Sequence, residues 1–218
     1  MKRGLFGALG LCAAAALALA ACLTTAADEP KKDDPKKDDE TGWVQLFNGK
    51  NLNGWVVHPE DKARWSVKDG SIVGEGPVGH LYTERGDFEN FRFRIEAMIS
   101  DGGNSGQYFR SEIARGFPPA HYEAQINATH GDPVRTGSLY GIVSVLEQKH
   151  KPDEWFTQEV IADGDHIIIK VNGEMTVDTH DAKYSKGHFG IQQHNEGSVV
   201  HVRKAEVKEL PPSKPKDK

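Results

Sequence analysis

The chain has only two cysteines, Cys12 and Cys22, in 218 residues. Both lie near the N-terminus, so no disulfide can staple the remainder and no thiolate metal site can form there. Stability has to come from a buried core. Helical patterning is missing as well: no window offers an amphipathic helix of three or more turns. There is no Lys/Arg cluster in the body of the chain, which argues against nucleic acid as a partner. No His-Glu pair stands at zinc spacing, no calcium-loop pattern occurs, and no Gly-x-Ser-x-Gly elbow is present. Neither a metal, a cofactor nor a serine nucleophile is therefore expected.

The two ends read as something other than fold. Lys2 and Arg3 precede an apolar, Ala-rich run from Leu5 to Ala21, closed by Leu19-Ala20-Ala21-Cys22. Residues 1–21 are expected to be a lipoprotein signal peptide, with Cys22 receiving the lipid. The run is short for a bilayer core of ~30 Å, so a permanent span is the weaker reading. Leu23, where an Asp would be the inner-membrane cue, favours the outer membrane. Residues 22–41 repeat Pro-Lys-Lys-Asp-Asp and bury nothing, as expected of a disordered, solvated tether. Residues 211–218 read as a similar tail. Without the +2 leader, the −3 tether and the +2 tail, the formal charge of −5 becomes −6 for one domain, 42–210. A neutral ligand suits that domain better than an anionic one.

Within 42–210 the pattern is nearly all strand. Trp65-Ser66-Val67 and Ser71-Ile72-Val73 flank Asp69-Gly70, a hairpin signal. Phe91, Phe93, Ile95, Ala97 and Ile99 alternate strictly with polar residues. Leu139 to Leu146 is a further strand candidate. Trp155 to Ala162 runs into Asp163-Gly164, and His166 to Val177 is split by Asn172-Gly173. Gly187 to Gln192 and Val199 to Leu210 close the domain. Short strands with regular turns predict an all-β fold, a two-sheet antiparallel jelly-roll sandwich.

Three strands carry an unusual polar face. In the 121–127 stretch, Tyr122, Ala124 and Ile126 point one way while Glu123, Gln125 and Asn127 point the other. By the same parity Tyr108 and Arg110 share a face, and so do Gln192 and His194. Carboxylate, amides, guanidinium and imidazole on short strands suit a sheet face that holds a polar ligand. An ordinary wet face of an antiparallel sheet is the plainer alternative. Of the four tryptophans, Trp43, Trp55 and Trp65 are expected in the core and Trp155 as a stacking platform.

The domain opens with Phe47-Asn48-Gly49-Lys50-Asn51-Leu52-Asn53-Gly54-Trp55, and Trp65-Ser66-Val67-Lys68-Asp69-Gly70 follows. Asn104-Ser105-Gly106, Tyr108-Phe109-Arg110 and Tyr122-Glu123-Ala124-Gln125-Ile126 come next. Thr136-Gly137-Ser138-Leu139-Tyr140-Gly141, Glu154-Trp155, Asn172-Gly173 and Gly190-Ile191-Gln192-Gln193-His194 complete the series. In this order the motifs resemble the family of 3-keto-disaccharide hydrolases, formerly a domain of unknown function. The resemblance implies a concanavalin A-like fold with a ligand groove on the concave sheet. Three positions depart from the family's pattern. Phe156 replaces an Asn at an expected groove edge, whereas His121 and the Val202-Arg203-Lys204 stretch are expected to affect packing.

The implied chemistry is cleavage of a 3-keto-glycoside. The ketone acidifies the C2 hydrogen, a base removes it, the enolate expels the C1 substituent, and water adds back. Glu123 is the candidate base. Arg110 and Gln125 would hold hydroxyls or the enolate oxygen, and His194 would be an acid or a second base. Tyr140 would supply a donor or a stacking ring, with Tyr108, Trp155 and Gln192 as further substrate contacts. A Glu123–Arg110 ion pair is the bland alternative for two of these. Nothing selects His80, His121 or His130. The alternative function is a non-catalytic carbohydrate-binding module using the same groove.

Overall fold

The computed structural model describes residues 41–211. The leader, Cys22, the charged stretch before residue 41 and the tail past residue 211 lie outside the described residues. In chain order the strands are β1 (Val44–Gln45), β2 (Trp55–Val57), β3 (Arg64–Lys68), β4 (Ser71–Glu75), β5 (Gly79–Thr83), β6 (Phe91–Ile99) and β7 (Ser105–Ser111). There follow β8 (Tyr122–Ile126), β9 (Phe156–Asp163), β10 (His166–Val171), β11 (Glu174–His180), β12 (His188–Gln193) and β13 (Val199–Glu209). No helix occurs among the described residues.

The strands form two antiparallel sheets. The larger runs β11-β10-β9-β6-β13-β4-β3, with β1 also paired to β13; the smaller runs β2-β5-β12-β7-β8. Alternation explains the layering. In β6, Phe91, Phe93, Ile95, Ala97 and Ile99 are buried between the sheets. The intervening Arg92, Arg94 and Glu96 face outward and pair with Glu159, Glu206 and Arg203. Phe189 of β12 closes the core from the other sheet, stacking on Phe93 at 4.0 Å and on Phe88 at 4.1 Å. Two buried amides bolt the layers together. Gln107 Nε2 donates across the sandwich to Phe93 O at 3.0 Å, and Gln158 Nε2 donates back to Ala124 O at 3.1 Å.

The hairpins follow their turn residues. Asn172 and Gly173 both have positive φ, 50° and 83°, as a tight turn between right-twisted strands requires. Asp69 and Gly70 do the same between β3 and β4.

Two expectations fail here. Leu139 to Leu146 is not a strand: Leu139 and Val143 hydrogen-bond each other in a closed loop, turned by Gly141 at φ 74°. Its run of apolar residues serves a loop that leans on β8 through Leu139. Of the three tryptophans expected in the core, only Trp55 is buried there. Trp65 is half-buried at its margin. Trp43 lies on the outer face under the guanidinium groups of Arg92 and Arg94, 5.3 and 4.2 Å from the ring centre.

Candidate functional site

The smaller sheet turns one face to the core and the other to a cavity of about 320 Å³. That is the lower end of the usual small-ligand range, about 300–1,000 Å³. Its floor is set by strand register. Glu123 of β8 stands opposite Tyr108 of β7, and Gln125 stands opposite Gly106. On β12, Gln192 pairs with His80 of β5. Gly106 matters because it has no side chain. A Cβ there would lie 2.8 Å from both Cγ and Cδ of Glu123, so the carboxyl group occupies the space the glycine leaves.

Loops build the walls. Asn127, third in the polar alternation, points its amide at the loop that follows. Its Nδ2 donates to Asp132 O and Val134 O, while its Oδ1 accepts from His130 N and Arg135. This pinned loop brings Asp132 to the cavity, where Tyr140 donates to Asp132 Oδ2 at 3.2 Å. Asp132 Oδ1 accepts from Val134 N at 2.8 Å, so both of its oxygens hold structure. From the other side comes Phe117, 56% exposed at the mouth.

Glu123 is the electrostatic centre. It is 6% exposed, and burial pushes its carboxyl up to about 8. The hydrogen bond from the Tyr108 hydroxyl works against that rise, and the charge of Asp132 adds to it. Tyr108 is itself held by Gln192 Nε2, which donates to its oxygen at 2.6 Å. The Gln125 amide nitrogen, in the orientation that satisfies its neighbours, lies 3.0 Å from Ser105 O and 3.1 Å from Glu123 Oε1. The carboxyl therefore sits in a fixed position, poised to exchange a proton near neutral pH.

Three histidines surround this group. His121 stacks flat on Tyr108, centroids 4.6 Å apart and planes 3° off parallel. His194 lines the cavity with Nδ1 2.8 Å from Asn195 Oδ1, which leaves Nε2 as its free nitrogen. His80 is wholly buried beside Tyr108, and burial, with His121 adding, pushes it down to about 3. It is a neutral packing partner at any physiological pH.

Glu123, His194, Gln125, Tyr140, Tyr108 and Gln192 all come together around the cavity. Arg110 does not. Ser111 pairs with His188 and Tyr108 with Gly190, so β7 spends three steps where β12 spends two. The extra residue forms a bulge, with Arg110 at φ 48°, and alternation slips. The guanidinium turns away and donates to Glu89 O and Tyr184 O, so the expected pair with Glu123 does not form either. Arg110 ties two loops to the sheet. Trp155 also lies elsewhere, on the larger sheet beside His201 and under Arg203. Phe156 is not a groove residue but a core one, stacked on His150 at 3.9 Å.

Other cavity residues lay outside the expected set: Asn104, Phe117, His121 and Asp132. His121 was expected to affect packing, yet it shares parity with Glu123 and Gln125. Asn104 shares parity with Gly106 and Tyr108. The alternation rule, extended one residue past each strand, finds both. Phe117 and Asp132 come from loops and have no such signal.

Comparison with known proteins agrees with the fold. The family model described as a 3-keto-alpha-glucoside-1,2-lyase-like domain matches residues 42–208. A Bacteroides thetaiotaomicron protein named 3-keto-disaccharide hydrolase is 24% identical over 171 residues, covering 64% of this chain. The match spans 59% of that relative, so this chain corresponds to part of it. A Parabacteroides distasonis protein solved as a candidate glycosyl hydrolase superposes with a TM-score of 0.66 at 21% identity, covering 78% of this chain and 94% of its own. The carbohydrate binding module CBM66 of Bacillus subtilis superposes at 0.57 with 17% identity, covering 76% and 100%. At such identities the structures speak for the fold alone, the jelly roll shared by lectin-like domains. On the family match across the described domain, the chain belongs to the 3-keto-alpha-glucoside-1,2-lyase-like family.

Proposed function

We propose that the domain cleaves 3-keto-glycosides by elimination followed by hydration, with Glu123 as the base. The observation that carries this is one buried carboxyl, raised to about 8 and held by Tyr108 and Gln125, in a cavity of about 320 Å³ that amide, imidazole and hydroxyl side chains line. The Glu123 carboxylate takes the proton from C2, and the electron pair moves onto the C3 oxygen as an enolate. The enolate collapses, a C1=C2 double bond forms, and the C1–O bond breaks. The leaving oxygen takes a proton, for which His194, protonated at Nε2 and lining the cavity, is the candidate donor. Water then adds, hydroxyl to C1 and proton to C2. With Arg110 out of the cavity, His121 is the candidate imidazole donor to the enolate oxygen, since His194 spends its Nδ1–H on Asn195 Oδ1 and its neutral Nε2 carries no proton. A neutral imidazole N–H serves that purpose.

Asp132 makes a second carboxylate, which ordinary glycosidases require. Its oxygens are committed to Val134 N and Tyr140, which favours elimination through Glu123 alone. The likeness to a carbohydrate binding module supports the rival reading, a site that binds sugar and releases nothing. Incubating the protein with a 3-keto-disaccharide and with the same unoxidised disaccharide decides between them. Free reducing sugar is expected from the first only. Release from neither, with binding retained, makes the domain a binding module. Release from both returns the two-carboxylate mechanism.

The pH profile follows from the same carboxyl. A base must be ionised, so kcat/KM is expected to rise with pH and level off above about 8. A profile that falls through that range would make Glu123 an acid. We propose further that Cys22 carries a lipid that keeps the domain at the outer membrane; the leader residues support this.

A further inference from the structure

Two acceptors in the cavity wall are buried and unmatched. Asn104 is 2% exposed and Gln192 1%, and both line the cavity. In each amide the N–H side is taken up by protein. Asn104 Nδ2 lies 3.4 Å from His130 Nδ1, and Gln192 Nε2 donates to the Tyr108 oxygen. The carbonyl oxygens, Asn104 Oδ1 and Gln192 Oε1, accept no hydrogen bond from the described residues. Neither amide gains by turning over: a reversed Asn104 would set its carbonyl against His130 Nδ1, which already accepts from Asp132 N. With Glu123 ionised, as the base must be, Tyr108 donates to the carboxylate, and a reversed Gln192 would set its carbonyl against the lone pairs of the Tyr108 oxygen. Buried acceptors without donors are costly, and here a ligand is what can supply the donors.

We propose that Asn104 and Gln192 determine specificity by accepting hydrogen bonds from two unoxidised hydroxyls of the sugar ring. This rests on the sugar reading of the site. A ketone oxygen has no proton to give, so it is turned away from both amides and toward the side of His121. The substrate class follows: a pyranoside oxidised at one carbon, with its other ring hydroxyls intact. A more extensively oxidised or deoxygenated sugar leaves one amide unmatched and is rejected.

Calorimetric binding of methyl 3-keto-glucoside to the Glu123→Gln protein tests this, alongside the 2-, 4- and 6-deoxyfluoro analogues. Fluorine fills the place of a hydroxyl but donates nothing. Two of the three analogues are expected to bind at least about tenfold more weakly than the parent. Asn104→Ala should erase the penalty for one of them and Gln192→Ala the penalty for the other. The analogue series needs neither of those two variants to fold. If the parent binds and all three analogues match it, the two amides are not hydroxyl acceptors, although the sugar reading stands. If the parent itself does not bind, both fall.

Discussion

Glu123→Gln is expected to lower product release from a 3-keto-glucoside by about a thousandfold while sugar affinity stays within a few-fold. Glutamine keeps the shape and the hydrogen bonds to Tyr108 and Gln125 but cannot take a proton. The sign of the linkage predicts that the variant keeps its fold. The folded carboxyl titrates at about 8, above its ordinary value of 4.5. The fold therefore favours the protonated form, and stability is lost as pH rises from 4.5 through about 8. Glutamine resembles the protonated form, so the variant should melt no lower than the wild type, and higher in alkali. Release at the wild-type rate would remove Glu123 from the mechanism.

Gly106→Ala is expected to cost about a hundredfold in kcat/KM with the fold intact, since a displacement near 1 Å at the reacting groups has that effect. The backbone of Gly106 is ordinary strand, without the positive φ that would bar alanine. The obstacle is the carboxyl of Glu123, which fills the space a Cβ would take. It has to swing away, giving up the Tyr108 hydroxyl and the Gln125 amide together. Kinetics and a melting curve on the same preparation check this. A variant with normal activity would show that the carboxyl needs no fixed seat. One that does not fold would show that the glycine serves the pairing of β7 with β8.

Much of the site was legible because side chains on a strand alternate. Glu123 and Gln125 point away from Tyr122, Ala124 and Ile126, and that alone puts them in the cavity. The same rule misplaced Arg110, because a single extra residue in β7 reverses parity and no local pattern announces it. Hairpins were readable where two residues must both have positive φ, as at Asn172-Gly173. The 139–146 stretch misled because its apolar residues are those of a strand, while Gly141 bends them into a loop. Trp155 looked like a platform by residue type, but which sheet it stands on is decided by topology. Asp132 depends on Asn127 gripping a loop five to eight residues downstream, and that grip is a tertiary fact.

The C2 proton is the most direct witness to the mechanism. Cleavage of a 3-keto-disaccharide in deuterated water, sampled early and corrected for exchange of the free product, should yield a keto-sugar carrying deuterium at C2. Hydrolysis without enolate formation leaves that hydrogen in place. A product that keeps its original C2 proton would contradict elimination through Glu123.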